Sequence, residues 1–202
     1  CRGNRVLLGH KQSYMIIKEL NIKGVFEIEL EPKNDDRGFF MRAYDDKIFA
    51  EHGIHKSWVQ ENQSFSAKKG TVRGFHFQYP PHMEARLVRV LLGEAFFAFV
   101  DLRKGSETFG KWGSVVLSEE EKNMLFVPRG FMLGMCTLAD NTTLFYKMDN
   151  YYAPESAETI KWNDPDLDIE WPVKEPAAIS ERDLKGKSFK DFKRLHGELE
   201  LG

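Results

Sequence analysis

RLVRVLLGEAFFAFVDLRKGSETFGKWGSVVL, residues 86–117, decides the fold. It holds three short apolar runs, 86–92, 95–102 and 113–117, separated by brief polar or glycine-bearing connectors. Runs of this length, rich in Val, Phe and Leu and bounded by turn residues, read as strands. Outward from it the pattern repeats. Strands are predicted at 71–78, 124–127, 131–138 and 142–148, with SEEEKN, PRG and ADN as connectors. Upstream, GVFEIEL (24–30) alternates apolar and charged residues, as a half-buried strand does. PKNDDRG (32–38) is turn chemistry, 39–44 reads as a strand and SWVQENQSFS (57–66) as another. One short helix is expected at 47–52, with Asp45 or Asp46 as its N-cap. Evenly spaced short strands without intervening long helices predict an all-β sandwich or barrel and exclude a Rossmann unit.

The ends differ from the middle. Residues 1–14 read as a leader segment ahead of Met15, and 15–202 as a single domain. From about residue 173 a charged extension is expected to pack on the surface, with a helix near 187–196. The chain has 202 residues, is 42% hydrophobic and holds 16 Phe, enough for a sizeable aromatic core. With 29 basic against 31 acidic residues, there is no polycationic surface for nucleic acid. Two cysteines in unrelated contexts make neither a disulfide framework nor a zinc motif, so a reducing cytoplasm is expected. No apolar run approaches the ~20 residues of a membrane-spanning helix.

TVRGFHFQYPP (71–81) carries polar residues on a strand that otherwise reads as core. His76 has two readings: a core histidine satisfied by its neighbours, or a general base titrating near neutrality. His76 and Gln78 share one strand face and Arg73 does not, so a common cavity requires a bulge or a twisted strand end near Gly74. Asp183 in ISERD is a candidate orienter for His76, or a solvated loop residue. Tyr146 is a candidate acid, or a core tyrosine. A metal reading also exists, since His76, His82 and Glu84 form a loose ligand set, though no HxH pair accompanies them.

Taken together, DDRGFF (35–40), VQEN (59–62), RGFHFQ (73–78), RLVRV (86–90), VDLRKGSETFGKW (100–112), VPRGF (127–131), LFYKMDNYY (144–152), IKWNDPDLDIEWP (160–172) and ISERD (179–183) show a resemblance. In this order and spacing the chain resembles the dTDP-4-dehydrorhamnose 3,5-epimerase family over residues 15–183. The resemblance implies a cupin-like jelly-roll barrel with a short C-terminal helical extension. It implies epimerisation of a nucleotide-linked 4-keto-6-deoxy sugar without metal or organic cofactor. The ketone at C4 acidifies the C3 and C5 protons, a base removes one, and an acid returns a proton to the other face. By resemblance His76 is the base, Asp183 its partner and Tyr146 the acid. Arg73 matches a substrate- and phosphate-contacting arginine, and Tyr152 a pyrophosphate-side tyrosine. Arg37, Phe40, Gln60 and Asn62 match substrate or nucleotide positions. The resemblance further implies a homodimer in which the neighbour's Arg42 region completes each site.

Departures accompany the match. Arg86 stands where the family has lysine as enolate-stabilising cation, and a guanidinium is a planar fork, not a point charge. Leu133 replaces a histidine, Phe97 an aspartate, Arg42 a glutamate and Gln63 a histidine. The proton-transfer set is kept while its polar surroundings turn apolar. Three outcomes follow: an epimerase with altered sugar or nucleotide (dTDP foremost, then CDP or GDP), one acting at C3 alone, or a sugar-nucleotide binder with little turnover. Another reaction through the same enolate, an isomerisation or dehydration, and a metal-dependent cupin enzyme are the remaining alternatives. Phe75 and Phe77 are expected to face the other sheet or a subunit interface.

Overall fold

The computed structural model describes residues 14–201. Its first strands are β1 (Met15–Glu19), β2 (Phe26–Leu30), β3 (Lys33–Asp35) and β4 (Gly38–Phe40), followed by helix α1 (Asp46–Glu51). The central run comprises β5 (Gln60–Ser66), β6 (Val72–Gln78), β7 (Arg86–Leu92), β8 (Glu94–Asp101) and β9 (Trp112–Ser118). Then come β10 (Asn123–Val127), β11 (Phe131–Thr137), β12 (Thr142–Met148) and β13 (Ala157–Thr159), with α2 (Glu181–Leu184) and α3 (Phe189–Leu195) near the end. Two antiparallel sheets face each other. One has the order β1-β2-β10-β7-β12-β5 and the other β13-β6-β11-β8-β9. This is the all-β jelly roll expected, and the short C-terminal helices are present.

Strand alternation distributes the core over both faces of the sheets. Phe97 and Phe99 of β8 point between the sheets and pack with Val88, Val90, Leu125, Leu133 and Leu144. Ala98 and Val100, of opposite parity, point outward and pack with Phe75, Phe77 and Met132. Phe189 and Phe192 of α3 cover that outer layer. A third cluster sits on the outer face of the other sheet, where Ile28, Leu87 and Phe126 meet Phe49 of α1. A strand buried on both faces needs no polar alternation, which explains the unbroken apolar run at 95–100.

Some expectations are corrected. The C-terminal extension is part of the core: Phe192 is 0% exposed. Phe75 and Phe77 therefore face neither the opposite sheet nor a subunit interface, but the chain's own tail. The strand predicted at 39–44 shrinks to β4, paired only with β3, and the one at 57–66 begins at Gln60. Helix α1 starts one residue early because the Asp45 carboxylate accepts from the Lys47 and Ile48 N–H groups. Except for Tyr14, the predicted leader lies outside the described residues. Among the described residues no helix is long and apolar enough to cross a membrane.

Candidate active site

Sheet register builds one wall of a cavity of about 350 Å³ between the sheets. On β7, β12 and β5 the paired residues form rows. Arg86, Met148 and Gln60 make one row, Val88, Tyr146 and Asn62 the next, and Val90, Leu144 and Ser64 a third. Adjacent rows are two residues apart, so all project from one face. Tyr146 thus lies at the centre of its wall, between Met148 and Leu144 along β12 and between Val88 and Asn62 across the sheet.

The facing wall comes from β6, β11 and β8. His76 pairs with Leu133, and Arg73 with Met135, with a register shift between them. Three residues of β6 thus advance against two of β11, which brings Arg73 and His76 to one face. Gly74 makes the bulge possible. Its φ is +107°, and a Cβ there would lie 2.8 Å from both the Gly134 Cα and the Leu133 carbonyl oxygen. Of the bulge or twisted strand end expected from parity, the bulge is present, and Arg73, His76 and Gln78 all line the cavity.

Asp183 is delivered by α2, whose N-cap Ser180 accepts from the Asp183 N–H. Its carboxylate lies 2.6 Å from His76 Nε2 and accepts the Gly74 N–H at 3.3 Å. Burial by itself raises this carboxyl, but hydrogen bonds from His76, the Gly74 N–H and Ser180 outweigh it and hold it below the usual carboxylate range. Ionised Asp183 fixes which ring nitrogen of His76 bears the proton and leaves the other free to accept one.

Cations gather around this pair. Arg73 is held by the Ser66 hydroxyl at 3.3 Å and the Phe65 carbonyl at 3.1 Å. Arg86 donates to the His76 carbonyl at 3.2 Å and to Glu84. Arg182 donates to Thr159 Oγ1 at 3.0 Å and to the Tyr152 hydroxyl at 3.4 Å. The Tyr152 N–H donates to Gln60 Oε1 at 2.9 Å. Leu133 and Phe97 join Val88, Met135 and Leu144 in an apolar section of the lining.

Of the residues singled out in the sequence, His76, Tyr146, Gln60, Asn62, Arg73, Arg86 and Tyr152 line the cavity, and Asp183 backs it. Arg37, Phe40 and Arg42 do not reach it from their own chain. Arg37 pairs with Asp35 at a hairpin tip, Phe40 is 67% exposed, and Arg42 pairs with Asp45. Arg182 was missed, although its place beside Asp183 in ISERD was the available signal. The metal-ligand set does not assemble: Glu84 pairs with Arg86, and the nearest carboxylate to His82, that of Glu155, is 3.9 Å away. Among the described residues no three His, Cys, Asp or Glu side chains converge as a metal site.

The family model for dTDP-4-dehydrorhamnose 3,5-epimerase matches residues 19–191. The chain belongs to the dTDP-4-dehydrorhamnose 3,5-epimerase family. It is 44% identical over 164 residues to the Shigella flexneri enzyme of that name, covering 80% of this chain and 90% of that protein. A crystal structure from Legionella pneumophila, in complex with dTDP-4-keto-L-rhamnose, superposes with a TM-score of 0.81 at 39% identity, covering 86% of this chain and 92% of that one. A 3'-monoepimerase from Streptomyces bikiniensis, in complex with dTDP-quinovose, gives a TM-score of 0.83 at 28% identity over 90% of this chain and 91% of that one. This dTDP-4-dehydrorhamnose 3,5-epimerase family member is an isomerase: an epimerase of nucleotide-linked 4-keto-6-deoxy sugars in deoxysugar biosynthesis.

Proposed function

We propose that the chain epimerises a dTDP-linked 4-keto-6-deoxyhexose, with His76 as base, Tyr146 as acid and Asp183 as the orienter of His76. One observation carries the assignment. His76 stands on the five-stranded sheet and Tyr146 on the six-stranded sheet, both lining the cavity between them. A sugar ring held there presents opposite faces to the two groups. His76 removes the proton α to the ketone, and the C–H electron pair moves into the C3–C4 or C4–C5 bond as the carbonyl becomes an enolate. The Arg86 N–H groups stabilise that oxyanion. Tyr146 then protonates the same carbon from the other face, which inverts it.

Arg73, Tyr152 and Arg182 supply the cationic and hydroxyl donors suited to a diphosphate, and Gln60 and Asn62 the polar edge beside it. Arg37, Phe40 and Arg42, away from their own cavity, reach a site by lying in a homodimer, each completing the neighbour's nucleotide pocket. The apolar lining at Phe97 and Leu133 favours a second reading, in which only C3 is inverted. With fewer polar groups the site has fewer ways to hold the ring in two successive poses.

Proton exchange tests both readings. The protein is incubated in D2O with dTDP-4-keto-6-deoxyglucose and the C3 and C5 proton signals are followed by NMR. Loss of both is expected for a 3,5-epimerase and loss of C3 alone for the second reading. Retention of both signals, with dTDP, CDP and GDP donors alike, would refute the assignment.

A further inference from the structure

Glu84 sits just before β7, lines the cavity and is 6% exposed. A buried carboxylate needs partners on both oxygens. Oε1 accepts from Arg86 Nη2, and Oε2 accepts from Gln78 Nε2 at 2.9 Å. Gln78 is itself immobilised. Its Nε2 also faces the carbonyls of His82 at 2.7 Å and Tyr151 at 3.1 Å, and its Oε1 accepts the Ala153 N–H at 2.6 Å.

These bonds leave no freedom to reverse. A guanidinium has no acceptor, and turning the Gln78 amide would set its NH2 against the Ala153 N–H and its oxygen against the His82 and Tyr151 carbonyls. Both oxygens of Glu84 therefore meet donors that cannot turn round. An amide at position 84 would set its NH2 against an N–H on one side or the other. The position suits a carboxylate, held between a cavity arginine and a glutamine fixed to the backbone.

We infer that Glu84 is a positioning residue for the reaction. It holds the Arg86 fork so that the N–H groups not given to Glu84 and the His76 carbonyl remain directed at the cavity. Its other oxygen is anchored by Gln78, which is fixed in turn to the Tyr151 carbonyl and the Ala153 N–H. A buried carboxylate beside the guanidinium offsets its charge, so Arg86 acts through aimed N–H donors and less through net positive potential. The inference depends on Arg86 serving as the enolate donor proposed above.

The test is Glu84→Gln, nearly isosteric, assayed by C3 and C5 exchange in D2O. The expected result is a saturated exchange rate lower by about 100-fold, the effect of a misaimed donor. The dissociation constant of dTDP, read by calorimetry, stays within about threefold, since dTDP lacks the oxyanion. In an Arg86→Met background the same substitution costs no further rate, because no fork is left to aim. A general structural role would lower rate and binding together and would persist in that background. Glu84→Asp, which keeps both oxygens but withdraws them by one methylene, is the second variant and is expected to lose rate in the same way. A wild-type rate in either folded variant overturns the inference, as does an undiminished effect of Glu84→Gln without Arg86. If neither variant folds, Glu84 is a structural ion-pair partner and the assignment fails. Absence of exchange by the native protein would instead refute the epimerase assignment itself.

Discussion

At the scale of single residues the site depends on a small number of contacts. His76→Asn keeps the shape of the ring edge but removes the proposed base. Tyr146→Phe removes only the hydroxyl. Each is expected to lower turnover by about 10²–10⁴-fold, the usual contribution of one acid or base, while calorimetry finds dTDP binding intact. Unchanged turnover in either would remove that residue from the mechanism. Asp183 carries a pH signature. Its carboxyl is held below the ordinary value of 3.8, so it stabilises the fold above about pH 4, and that contribution is lost as the pH falls through the folded value. Asp183→Asn should therefore melt at a lower temperature than the native protein at pH 7, and the gap should narrow toward pH 3. A gap independent of pH would mean the carboxylate is not held in this way. Gly74→Ala places a Cβ against Gly134 and Leu133 at a φ that L-residues rarely adopt. It is expected to cost about 3 kcal/mol or more in denaturant unfolding.

Elements carry a different share of the function. The β6 bulge converts a three-residue spacing between Arg73 and His76 into a shared face, which strict strand alternation forbids. That need was legible from parity alone. The role of the C-terminal segment was not. Its Phe189 and Phe192 read as ordinary residues of a charged tail, yet they seal the outer face of β6, and α2 brings Asp183 to His76. Helix α3 has two buried side chains to hold it, Phe189 and Phe192, so each matters. Phe192→Ala is expected to destabilise the protein by about 3–5 kcal/mol, the range for emptying a packed phenylalanine site. A loss under 1 kcal/mol in urea unfolding would mean the tail docks loosely.

For the whole molecule, the proposed dimer makes a prediction that no single-chain argument can. If Arg37 serves the neighbour's pocket, His76→Asn and Arg37→Ala chains should complement each other after subunit exchange. In the mixed dimer the site on the Arg37→Ala chain keeps its own His76 and receives an intact Arg37 from the partner. With random pairing, mixing the two inactive proteins should restore about a quarter of native activity. No recovery, in a sample shown by sedimentation to have exchanged subunits, would place Arg37 outside the neighbour's site. The exposed Phe39 and Phe40 beside Arg37 and Arg42 are the apolar surface such an assembly would cover.

By itself the sequence determined the class of fold, because short apolar runs at regular spacing admit little besides facing sheets, and pattern is a local property. It also named His76 and the need for a bulge or a twisted strand end beside it, since parity is counted along one strand. Residue pattern left Asp183 as either an orienter or a solvated loop residue, and the tertiary structure decided between them. His76 and Asp183 lie 107 positions apart, and a carboxylate that distant becomes a partner only when α2 docks behind β6. Glu84 shows the same limit from the other side. Read along the chain it resembled a metal ligand, because a carboxylate near histidines is all that local sequence displays. In the folded molecule its two oxygens meet the arginine and the glutamine that register brought beside it. Local residue order encodes which groups are present, whereas the three-dimensional register decides which of them are close enough to share a proton or a charge.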